Sequence, residues 1–211
     1  MTNPYTPREE LRELSFQYCI DSYQLRDQAS ILLDSPSLEQ RCKYHIGYLS
    51  KINVLLYMSI ECALKSLVCA ANLTELPKDI YWNRIRRSSH KIDPLLSNIP
   101  TVDSLISDTQ LLLEIKRLAS SEVSERYCVE VSSESDLMDG FNIDSEKLQD
   151  CLSDTRKILE VATRLEAIAS NFRTKAFASD RVLPPSKVRA VLKKIKKPRK
   201  RGQAEECYIL I

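Results

Sequence analysis

The 211-residue sequence is poor in glycine, histidine and tryptophan, with three Gly, two His and one Trp. So few glycines argue against a sheet-rich chain, whose tight hairpins need residues that accept positive φ. They also leave no phosphate loop and no dinucleotide-binding turn. The two histidines, His45 and His90, form no His-Glu-x-x-His site, and the seven cysteines include no Cys-x-x-Cys pair. No metal or cofactor is therefore expected. The cysteines are odd in number and scattered beside apolar residues, as suits small buried side chains in a reduced, cytosolic setting. A secretory leader is not evident either, because the first residues are polar and acidic. Long uncharged runs are missing too. The charge-free stretch from Ile52 to Ile60 falls far short of the roughly 20 residues a bilayer span needs, so no span is expected.

What the chain does have is apolar residues at helical spacing. The central stretch is Tyr48 to Leu73, where Leu49, Ile52, Leu56, Ile60, Leu64, Leu67 and Ala71 share one face. Val54, Leu55, Met58, Cys62, Val68 and Cys69 carry apolar character round the rest, which predicts a central helix touched on several sides. Glu61 stands four residues before Lys65, the favourable order for a helical ion pair. Thr6, Pro7 and Glu9 predict a capped helix start, with Leu11, Leu14, Tyr18, Leu25, Ala29 and Leu32 running to about Leu33. Pro36 breaks it, and Ser37 with Gln40 restarts a helix that continues through Gly47 and stops at Pro77. Residues 74–102 read as irregular, apart from a short helix from His90 to Leu96. Thr101 to Ser120 reads as one amphipathic helix, and the last core helix starts near Ser145 and passes Phe172. The expected fold is all-α: residues 1–183 as an up-and-down bundle of four long helices plus a short one, then residues 184–211 as a basic C-terminal helical tail.

Charge divides the same way. Residues 186–211 hold nine Lys or Arg against two Glu, +7, whereas the preceding 185 hold 22 against 27, −5. Val188, Val191, Leu192 and Ile195 form an apolar side of the tail helix. Lys187, Arg189, Lys193, Lys194, Lys196 and Lys197 occupy the remainder, and Arg199, Lys200 and Arg201 follow. Such a cluster predicts salt-sensitive, sequence-independent contact with RNA or DNA. Its apolar side also suits an acidic partner protein or an anionic membrane surface. A second basic stretch, Arg84 to Arg87, follows Tyr81 and Trp82. Arg86 and Arg87 could hold phosphate while the two rings stack on a base; the alternative is a solvated loop anchored by Trp82.

Three pieces together resemble the HEPN superfamily of compact helical bundles: Ser59 to Leu67 with its Glu61 and Lys65, the segment Ser89 to Ile92 led by His90, and the dipeptide Arg126-Tyr127. The resemblance covers roughly residues 40–165. It implies a homodimer that acts beside a nucleotidyltransferase or another toxin–antitoxin or phage-defence protein, with Arg126 and Tyr127 lining a nucleotide or partner groove. Many such proteins are metal-independent ribonucleases using Arg-x(4–6)-His, in which His moves a proton and Arg binds phosphate. Arg84 and His90 match that spacing, but they lie earlier in the chain than the motif of the family's nucleases. The expected function is therefore a nucleotide- or RNA-binding regulatory module. The alternatives are a ribonuclease toxin using Arg84 and His90, and a protein-binding adaptor.

Overall fold

The structure, a computed structural model, describes residues 5–44, 47–120, 145–180 and 182–197. Among these residues every regular element is helical. Three long helices carry the core: α1 (Pro7–Leu33), α3 (Gly47–Ala71) and α8 (Ser145–Ala176). Shorter pieces are α2 (Leu38–Tyr44), α4 (Pro77–Asp79), α5 (Ile92–Ser97), α6 (Val102–Leu105), α7 (Thr109–Ser120) and α9 (Pro185–Lys196). Between α4 and α5 the chain passes through a π-helical turn, Ile80–Ile85, and a 3-10 turn, Arg86–Ser88. α1 starts as its sequence dictates. The Thr6 hydroxyl accepts from the Glu9 N–H at 3.2 Å, and the Glu9 carboxylate accepts from the Thr6 N–H at 2.9 Å.

α3 is the central element, packed between α1 and α8. Ile52, Leu56, Ile60, Ala63, Leu64, Leu67, Val68 and Cys69 are all fully buried. Each large aliphatic side chain among them contributes about 1.5–3 kcal/mol on leaving water. By length and composition Tyr48–Ala71 also reaches what a membrane crossing requires, with 61% of its most apolar window buried inside the bundle. Buried hydroxyls join α1 to α3 at two points. Ser15 donates to the Ser66 carbonyl at 3.0 Å and Ser66 returns a bond to the Ser15 carbonyl at 2.9 Å. Two turns away, Ser22 and Ser59 exchange the same pair of bonds, both at 2.9 Å. All four serines are fully buried, and only small side chains allow two helix backbones to approach this closely. These reciprocal clasps fix the antiparallel register. α8 closes the other side with Leu148, Leu152, Val161, Ala162 and Leu165, and Arg26 of α1 bonds Glu166 at 3.0 Å.

Several expectations are corrected. The bundle has three long helices, because the stretch expected as one helix from Thr101 to Ser120 divides into α6 and α7. Asp108 causes the division: its Oδ1 accepts from the Leu111 N–H at 3.0 Å, capping a new helix, while Oδ2 pairs with Arg164 of α8. The segment 74–102 is largely helical rather than irregular, and Pro77 opens α4 instead of merely ending the helix before it. The helix expected from His90 begins at Ile92, because Ser89 and His90 both take left-handed backbone angles, φ 45° and 63°.

Candidate nucleic-acid interface

α9 lies against α1 and the 77–85 turns. Its amphipathic pattern determines this: Val191 and Ile195 are buried, Val188 and Leu192 are partly covered, and Lys187, Arg189, Lys193 and Lys197 stay exposed. Three polar contacts hold the helix. Lys194 Nζ lies 2.8 Å from Oε1 of Glu10, a buried carboxylate on α1. The Lys196 ammonium sits 5.9 Å from the centroid of the Tyr18 ring. Trp82 Nε1 donates to the Ile195 carbonyl at 3.3 Å, supplying a partner to one of the last-turn carbonyls that a helix leaves open.

The Trp82 contact joins the two basic stretches. Arg86 lies over the Trp82 indole at 4.5 Å, and Tyr81 meets Trp82 edge-on with centroids 5.3 Å apart. The π-helical turn makes this arrangement. Its wider coil brings the Arg86 N–H back to the Tyr81 carbonyl, buries Ile80 and Ile85, and leaves Arg86 exposed and Trp82 half-buried against α9. Arg86, exposed, is thereby linked through Trp82 to the C-terminal end of α9, and Arg87, its neighbour in sequence, is also exposed. Trp82 thus brings a cation far away in sequence, Arg86, near the end of α9.

Arg84 points elsewhere. It forms a two-point ion pair with Glu75, with Nε to Oε2 at 2.9 Å, and reaches Asn98 Oδ1 at 3.3 Å. Hydrogen bonding to Glu75 raises its pKa, opposed by partial burial. This network ties the loop beyond α3 to the end of α5. His90 has a different anchor: its Nδ1 lies 2.9 and 3.1 Å from the two oxygens of Glu61, which also pairs with Lys65. The Glu61 side chain is 8% exposed and that of His90 82%. The Lys65 ammonium in turn lies 5.6 Å from the Tyr18 centroid, on the ring that Lys196 also approaches. Arg126, Tyr127, Arg199, Lys200, Arg201 and His45 lie outside the described residues.

Thiol chemistry is suppressed around this cluster. Burial pushes the Cys62 thiol up to about 12, against a smaller opposing pull from Lys65, and burial raises Cys69 and Tyr18 in the same direction. No group of three or more potential metal ligands occurs among the described residues. A groove of about 380 Å³ between α6 and the end of α8, lined in part by Leu105, Phe172 and Lys175, contains none of the expected site residues. Sequence reasoning had no view of Glu10 as the seat of Lys194, nor of Trp82 as the cap of α9. The available signal was the cluster of acids Glu9, Glu10 and Glu13 among the apolar residues of α1, all three of them buried in the fold. Comparison with family models, curated proteins and solved structures finds no match to this chain.

Proposed function

We propose that the protein is a HEPN-like bundle that binds nucleic acid as a regulatory module beside a partner of the nucleotidyltransferase, toxin–antitoxin or phage-defence kind. The observation that carries the reading is the exposed basic row Arg189, Lys193 and Lys197 on α9, near whose end Trp82 holds Arg86. Arg189, Lys193 and Lys197 stand four residues apart, about 6 Å along the axis, so they form a row that can follow a phosphate backbone. Trp82, half-buried near the end of that row, adds part of an aromatic surface, the second component of sequence-tolerant single-strand binding. The Glu61–His90 contact supports the family resemblance, because two of its three pieces meet in space.

A labelled single-stranded oligonucleotide titrated with protein at several salt concentrations tests the reading. The logarithm of affinity falls linearly with the logarithm of salt. The triple substitution Arg189→Gln, Lys193→Gln, Lys197→Gln, which leaves the buried face of α9 intact, lowers the slope by about 0.7 for each phosphate no longer neutralised. Affinity indifferent to both salt and these substitutions contradicts the proposal.

A further inference from the structure

The groove of about 380 Å³ between α6 and α8 has a mixed lining. Leu105, Ile168 and Phe172 form its apolar part, each partly buried and packed against the core. Thr101, Ser104, Asn171 and Lys175 form its polar part, and all four are exposed. Along α8, Ile168, Phe172 and Lys175 follow at steps of four and three, one stripe of the helix that ends in a cation. Lys175 is the charged group of this lining and enters no ion pair among the described residues. Both walls are held in place. Thr101 is β-branched yet left-handed, φ 55°, a conformation kept where the surroundings impose it and one that gathers at ligand clamps. Its carbonyl accepts from the Ser104 and Leu105 N–H groups at 3.0 and 3.1 Å, so the strained residue sets the two α6 residues of the lining. Beyond α6, Asp108 pairs with Arg164, one turn before Ile168 on α8.

We propose that this groove binds a small amphipathic carboxylate, its apolar body against Leu105, Ile168 and Phe172 and its charge at Lys175. The volume lies at the small end of ligand sites, which suits one ring and a short chain rather than a nucleotide. A single ammonium matches a single negative charge, whereas a phosphate dianion would leave one charge unmatched. Asn171, one turn before Lys175, adds an amide that can donate to a carboxylate oxygen. The basic row of α9 plays no part, so the inference stands independently of the nucleic-acid reading.

The test is a ligand-observed NMR titration of the full-length chain at pH 7 and low salt. It uses 4-phenylbutyrate and 4-phenyl-1-butanol, which keeps the ring and chain but loses the charge. The acid binds about two- to fivefold more tightly than the alcohol, the range of a solvent-facing ion pair. Lys175→Gln removes that difference and leaves the alcohol's affinity unchanged. Asn171→Glu sets a carboxylate four residues before Lys175, which weakens the acid and spares the alcohol. Ser104→Trp fills the groove and abolishes binding of both. All three positions are exposed, so each variant keeps the wild-type unfolding curve. No saturable binding of either compound overturns the inference, as does equal affinity for the two in the wild type. So does a preference for the acid that survives Lys175→Gln, or binding that Ser104→Trp leaves untouched.

Discussion

α1 holds two of its neighbours, α3 and α9, by different means. Toward α3 it presents small, neutral, fully buried groups, and four serines exchange bonds at 2.9–3.0 Å with the carbonyls across the seam. Toward α9 it adds a buried charge, Glu10 meeting Lys194, and the Tyr18 ring, which Lys196 of α9 shares with Lys65 of α3. The first seam removes water from every polar atom it uses, so neither salt nor a polyanion has access to it. The second keeps half of its helix in solvent, and its Lys194 side chain is 61% exposed. One seam therefore serves the fold, and the other suits an element that mounts charge on the fold.

The largest expected effect comes from wedging the neutral seam apart. Ser59→Leu places a branched side chain where two backbones are in near contact and destabilises the protein by about 3 kcal/mol, read from denaturant unfolding. A loss under about 1 kcal/mol would show that the helices do not approach closely there. Ser59→Ala is milder, about 1–2 kcal/mol, because it removes one donor and leaves the Ser22 carbonyl short of a partner. Combined with Ser22→Ala it costs less than the sum of the two single changes, as expected of groups in one network.

Alkali acts on the edge where the two seams meet. The folded chain holds the Cys62 proton up to about 12, whereas the unfolded chain releases it near the ordinary value of 9.0. Between those values the unfolded state binds fewer protons, so stability is level below about pH 9 and falls as pH rises above it. Raised Tyr18 and Cys69 act in the same direction. Unfolding curves at stepped pH check the sign, and Cys62→Ala makes the decline shallower. The smallest effect belongs to the charged seam: Glu10→Gln costs less than about 1 kcal/mol at low salt, and the difference vanishes at high salt. A salt-independent loss would mean that the carboxylate matters through burial rather than through Lys194.

Much of this architecture was legible. Thr6 and Glu9 announce the start of α1, the apolar circumference of residues 48–73 marks the central helix, and the Val188–Ile195 stripe states which side of α9 is covered. The serine clasps were hidden because a serine on an apolar face reads as an interruption, and only its partner across the seam shows that the interruption is shared. Asp108 was hidden for a related reason: one capping side chain outweighed an unbroken apolar period. At the candidate site, sequence named Trp82, Arg86 and the tail lysines, but not that one indole N–H would bring them together. Nor could it divide labour between Arg84 and His90, whose spacing is right for a pair. Their carboxylates, Glu75 and Glu61, come from the loop beyond α3 and from the middle of α3, and that choice is made by tertiary packing.

The central claim is that α9 and the 86–87 turn form one polyanion-binding face. Salt-dependence slopes for a single-stranded oligonucleotide test it most directly, measured for the wild type, for Lys193→Gln with Lys197→Gln, for Arg86→Gln with Arg87→Gln, and for all four together. Each pair is predicted to lower the slope, and the quadruple variant to lower it by the sum. A slope that responds to the α9 pair and ignores the arginine pair would contradict the shared face.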